Sequence, residues 1–190
     1  MVNFTAITPR LLGLLLALGL LVPVAHAQGG ASRVAPVLAR VLSYDRTLTA
    51  RAGGQIDLVI VHSAGAPASS AQGRALATAF AGLGQQIIQG LPLTVHLVDV
   101  GAAGAAALPS GTDVLVVCDG IPGATSSALF AHARTRHLLV VTLSRAALES
   151  HGAVAVFMED GRPRIVTKMR HVQDTGIQLA SPLLRLSEVI

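Results

Sequence analysis

Apolar runs and amphipathic stretches alternate along most of the chain. Val34, Val37, Leu38, Val41 and Leu42 recur at i, i+3, i+4, i+7 and i+8, the stripe of an amphipathic helix, with Arg33 and Arg40 off that face. Gly53-Gly54 closes the segment. Ile56, Leu58, Val59, Ile60 and Val61 then make a short run rich in β-branched residues, as in a strand covered on both faces. An alanine-rich helix is expected next, capped by Ser69 or Ser70 and ended by Gly90-Leu91-Pro92. Strands are expected at Leu93 to Val100, at Asp113 to Gly120 and in HLLVVTLS from His137; SSALFAHART and RAALES read as helices.

Short strands separated by helices describe βαβ units around a parallel sheet. The alternation breaks at AVAVFMEDGRPRIVTKM, where two apolar runs flank Asp160-Gly161, a hairpin signal. The expected fold class is therefore α/β: a mixed, mostly parallel sheet flanked by helices, an antiparallel hairpin near 153–168 at one edge, and a docked C-terminal helix. In that last helix Ser181 is placed as N-cap and Pro182 at the first helical position. Leu183, Leu186, Val189 and Ile190 share one face, expected to be buried, with Arg185 and Glu188 opposite.

The beginning of the chain follows a different rule. Arg10 precedes an apolar run from Leu11 to Val22, and Ala25-His26-Ala27 follows Pro23. The run is shorter than the roughly 20 residues a membrane span needs, and a small-x-small site follows it, so 1–27 reads as a secretory signal peptide cut after Ala27. Residues 28–190 are then expected to form a single domain of the periplasm or the cell exterior. Cys118 is the only cysteine, so the domain holds no internal disulfide despite an export route that permits one.

Charge and aromatic content narrow the partners. Basic residues outnumber acidic ones, 14 to 10, without forming a long block, and the chain has one Tyr, four Phe and no Trp. That offers little for base stacking or for a continuous phosphate track, and nucleic acid is not an expected partner. The most concentrated basic feature is Arg162, Arg164, Lys168 and Arg170 with His171, a candidate surface for an acidic partner, although alternation along a solvent-facing strand also produces such a pattern.

Catalytic templates fail on particular residues. Gly101 and Gly104 lack the spacing of a dinucleotide loop, no phosphate-loop lysine exists, and neither a G-x-S-x-G elbow nor H-E-x-x-H occurs. No catalytic residues, cofactor or metal ligands are assigned, and the chain is read as non-enzymatic. Since ligands of open α/β sheets bind at the carboxyl ends of strands, His62, His96, Cys118 and Asp119 are the candidate crevice residues of a second reading, a periplasmic small-ligand receptor. For Cys118 a buried small hydrophobe is weighed against a reactive thiol, and for Ser69 and Ser70 simple capping against an anion site.

The order of the last third carries a resemblance. GAVAVFMEDG, RPRIVTKM, RHVQDTG and IQLASPLLRLSEVI follow one another as in the C-terminal half of the YfiR/HmsC family of exported bacterial proteins. The end pattern is matched by Leu179, Ala180, Ser181, Leu183, Leu184, Leu186, Ser187, Val189 and Ile190, and the stretch from Ser32 to Ser63 is similar to the family's opening helix and first strand. The resemblance implies a periplasmic α/β domain, often a homodimer, whose best-known members bind the periplasmic domain of a membrane-bound diguanylate cyclase. That binding represses the cyclase, lowering cyclic-di-GMP and biofilm formation. Two features differ from the family: an aromatic, proline-containing stretch after the first helix is replaced by LSYDRTLTARAGG, and disulfides found in some members have no counterpart beside a lone Cys118.

Overall fold

In a computed structural model, residues 24–190 are described, with side chains from Gly29 onward. The expected leader therefore lies outside the described residues up to position 23. Helix α1 spans Val24–Leu42 and seats Val34, Leu38, Val41 and Leu42 in the core, as the stripe predicts. A one-turn helix α2, Leu48–Arg51, leads into strand β1, Ile56–His62. Helix α3 is Pro67–Gly82, β2 is Ile87–Ile88 and β3 is Leu91–Asp99. A single 3-10 turn at Gly104–Ala107 precedes β4, Val114–Val117. Helix α4, Gly123–Arg136, β5, Leu139–Thr142, and α5, Arg145–His151, complete the alternation. The hairpin β6–β7 occupies Val154–Glu159 and Arg162–Thr167, and α6, Met169–Asp174, α7, Ser181–Leu186, and β8, Glu188–Val189, end the chain.

The eight strands form one sheet in the order β2-β3-β1-β4-β5-β6-β7-β8. The five consecutive strands β3, β1, β4, β5 and β6 are parallel to one another, and β6–β7 is antiparallel in the register Val154↔Thr167 to Glu159↔Arg162. Asp160 and Gly161 both take positive φ, 49° and 73°, the backbone of the tight hairpin turn that an Asp-Gly pair favours. Alternation sorts the strand side chains cleanly. Ile56, Leu58, Ile60, Val116 and Val141 join the core under α1 and α3, whereas Val59, Val61, Leu115, Val117 and Val140 join the second core with Leu129 and Ala133 of α4.

Three expectations change. The alanine-rich helix stops at Gly82, and the residues after it form β2, antiparallel to β3, so one edge of the sheet is antiparallel, while at the other the hairpin β6–β7 is followed by β8, parallel to β7. The turn between β2 and β3 puts Gln89 at φ 52°, from where its side-chain amide donates to the carbonyls of Leu42, Ser43 and Asp45 and so satisfies the end of α1. Helix α3 begins at Pro67 with Ala66 as its cap; Ser69 and Ser70 lie buried in its first turn rather than capping it.

The C-terminal helix is docked, but it is shorter than its apolar pattern implies. It begins at Ser181 after an Ala180 cap, buries Leu183 completely and ends at Ser187, whose backbone is extended. The chain then pairs with β7, the Ile190 N–H donating to the Thr167 carbonyl and the Met169 N–H to that of Ile190. This turn from helix to strand carries Leu186, Val189 and Ile190 away from the core, to 59%, 48% and 45% exposure.

Candidate functional site

The parallel strand order β3-β1-β4-β5-β6 puts β1 and β4 side by side while their successors β3 and β5 lie on opposite sides. The chain thus reverses direction across the sheet between β1 and β4, the place where open α/β sheets leave a crevice beyond the carboxyl ends of their strands. The loop after β4 carries Cys118, Asp119 and Gly120 to that point.

Asp119 is the fastener of this end. Its Oδ1 accepts from the Ser144 hydroxyl at 2.5 Å, its Oδ2 from the Gln72 amide at 2.9 Å, and its N–H donates to the Gln72 Oε1 at 2.7 Å. Ser144 also caps α5 through the Ala147 N–H. One carboxylate therefore ties α3, the β4 loop and the start of α5 together. Beside it lies a cavity of about 530 Å³ whose walls are mainly apolar: Ala31 and Val34 of α1, Leu76 of α3, Leu143, and Val156 and Met158 of β6.

Cys118 adjoins Asp119 in the chain and His62 ends the neighbouring strand β1, but both face α3 rather than this cavity. Gly73 allows the approach: a Cβ there would lie 3.0 Å from Leu97 Cδ1, 3.3 Å from His62 Cβ and 3.5 Å from Cys118 Sγ. His62 Nδ1 is 3.2 Å from the Ser70 hydroxyl, which donates to the Ser63 carbonyl, so the Nδ1–H tautomer completes the chain of bonds. Cys118 is 2% exposed, and burial, reinforced by the Asp119 charge, pushes its thiol up to about 12. A thiolate is the reactive form of cysteine, so this residue packs as a small hydrophobe. His96 belongs elsewhere: its Nε2 is 3.1 Å from Asp57 Oδ1, near the start of β1.

The amino ends of the strands hold a second cavity, of about 630 Å³, and here most of the lining residues are polar. Asp45 is completely buried and accepts from the Thr47 N–H and hydroxyl at 2.9 and 2.7 Å and from Arg51 at 2.9 Å. Arg51 also donates to Thr47 Oγ1, but its Nε is buried with no partner among the described residues. Across the cavity Asp113 accepts the Asp57 N–H at 3.0 Å; burial, the dominant influence, raises its carboxyl above the usual range. Arg136 and His137 approach from the end of α4. None of Asp45, Arg51, Asp113 or Arg136 is singled out by the sequence reading; the one local signal is Asp45-x-Thr47, the spacing of an Asp side chain bonding a backbone N–H two residues on.

The basic candidates on β7 and beyond do not act as one free cluster. Arg164 pairs with Glu159 at 2.9 Å, Lys168 donates to the Glu149 carbonyl, and Arg162 and Arg170 are exposed. Across the edge, Arg145 makes a two-pronged pair with Glu188 at 2.9 and 2.6 Å, holding β8 against α5. Among the described residues no group of three or more His, Cys, Asp or Glu is placed to hold a metal, and no helix is long and apolar enough to cross a membrane.

These features define a doubly wound α/β domain with an added hairpin and C-terminal edge. The chain belongs to the YfiR/HmsC-like family, whose model matches residues 34–188. Among solved structures it is similar to a conserved domain protein from Vibrio cholerae O1 biovar El Tor, with a TM-score of 0.56 and 11% identity over 84% of this chain and 59% of that one. It is also similar to the ABC domain in complex with L-Trp from Streptococcus pneumonia, at a TM-score of 0.50 and 11% identity over 79% of this chain and 62% of that one. This chain thus spans about three-fifths of each structure, and at that identity the likeness is one of fold. No curated protein sequence matches.

Proposed function

We propose that this protein is an exported, non-enzymatic regulator that works in the periplasm by protein contact, controlling a membrane-bound signalling protein such as a diguanylate cyclase. The family match over 34–188 carries the reading. The C-terminal edge supports it. β8 is a two-residue outer strand, and beside it Leu186 and Glu188 share a hollow of about 340 Å³ with Arg40, Pro163 and Arg164. Exposed Leu186, Val189 and Ile190 bring apolar area to an edge where backbone pairing is open, a combination suited to receiving a partner's extended segment. Of the basic candidates Arg162, Arg164, Lys168 and Arg170 along the same hairpin and its exit, exposed Arg162 and Arg170 would favour an acidic partner, while Arg164 is already paired with Glu159 and Lys168 with the Glu149 carbonyl.

Co-purification from detergent extract tests the reading. The wild-type chain should recover a membrane protein with a periplasmic domain, and the double variant Leu186→Asp, Val189→Asp should lose it while remaining folded, since both positions are exposed. Recovery of the same membrane protein by both forms would place the contact elsewhere; recovery of none by either would remove the support for a contact mechanism.

A further inference from the structure

We infer that the cavity at the carboxyl ends of the strands binds a small, uncharged, largely apolar molecule that carries a hydrogen-bond donor. The inference is independent of the regulator reading, because it rests on the cavity alone. Its volume, about 530 Å³, falls within the range of small-molecule sites, and its place beside the β1/β4 crossover is where doubly wound sheets take ligands. The hollow exists because small residues stand where the elements meet: Ala31 on α1, Ala66 and Ala68 at the start of α3, and Gly120 in the β4 loop.

The walls select the chemistry. No cationic side chain lines the cavity among the described residues, and its one ionisable group is the Asp119 carboxylate, which disfavours an anion. Leu76, Leu143, Val156 and Met158 offer nothing to a second charge, so a permanent cation would gain one partner and lose most of its water. Asp119 is held in place by Gln72 and Ser144, one bond to each oxygen, and a carboxylate oxygen can accept a second. A neutral ligand with an N–H or O–H therefore meets a fixed acceptor at one end and apolar side chains elsewhere. That is orientation without reorganisation, the condition under which a small buried area yields useful affinity.

The test uses N-phenyl-1-naphthylamine, a neutral aromatic amine whose emission rises in apolar surroundings, titrated into the exported protein. The chain has no Trp, so its own emission does not interfere. Saturable uptake of one dye per chain is expected, with laurate, equally apolar but anionic, displacing it at least tenfold less well than indole. Ala68→Trp, at an exposed rim position, and Ala31→Phe, which fills the interior, should each weaken uptake at least tenfold; circular dichroism and thermal melting confirm that the variants fold. Absence of saturable uptake would overturn the inference, as would uptake unchanged in a folded Ala68→Trp chain or laurate competing as well as indole. A phenylalanine-bearing peptide that binds where the dye and indole do not would make the cavity a protein-docking socket and equally overturn it.

Discussion

The two ends of the same sheet solve opposite problems. At the carboxyl ends Asp119 is satisfied by Ser144 and Gln72 and borders a mainly apolar hollow. At the amino ends Arg51, Asp57 and Asp113 line a more polar one, buried Asp45 holds Arg51 from behind, and Arg51 Nε has no partner among the described residues. The first arrangement leaves a fixed acceptor facing space that apolar atoms can fill. The second spends its charges on holding α2, β1 and β4 together. Cavity size does not separate them, since the polar one is larger; the difference lies in whether the charged groups are already answered by their neighbours.

Breaking each end in turn should expose that difference. Asp45→Ala removes the buried partner of Arg51 and strands its guanidinium, and the loss should be about 3 to 5 kcal/mol in urea unfolding. Asp119→Ala removes neutral donors' acceptor without leaving a buried charge behind, so the cost should be smaller, about 1 to 3 kcal/mol. An equal or larger loss at Asp119 would reverse the contrast between the two ends.

Asp113 gives a pH handle on the amino end. Burial raises its folded carboxyl above the unfolded value, so the folded chain binds that proton more readily than the unfolded one. Its ionised form is a liability at neutral pH, one that shrinks as pH falls through the folded value and vanishes below the unfolded value near ~3.9. Asp113→Asn keeps an oxygen for the Asp57 N–H and removes the charge; its melting temperature should exceed wild type at pH 7, with the gap closing by about pH 3. The smallest structural effect is expected at Cys118. With its thiol pushed up to about 12, alkylation by iodoacetamide at pH 8 should run on the order of 10³ slower in the folded chain than in urea.

The fold was legible because each strand of the parallel core is a short β-branched run, and because Asp160-Gly161 announces its turn directly. β2 was hidden by its size, two residues behind a Gln89-Gly90 turn that reads equally as a helix stop. The final turn misled for a different reason. Leu183, Leu186, Val189 and Ile190 do share a helical face, but Ser187 leaves the helix and backbone pairing with β7, helped by Arg145 on Glu188, takes over. Only Leu183 keeps its expected burial. Of the crevice candidates, Asp119 lines the carboxyl-end cavity, while His62 and Cys118 turn toward α3 and His96 reaches Asp57. Periodicity could not foresee the cavity, because its walls join α1 to β6, more than a hundred residues apart, across a space that only the packed chain defines.

The regulator reading meets its most direct test in cyclic-di-GMP measured in cells lacking the gene and in the same cells complemented. Deletion should raise the nucleotide, the wild-type chain should restore it, and the Leu186→Asp, Val189→Asp chain, exported to the same level, should not. Cyclic-di-GMP unchanged by deletion would contradict the account.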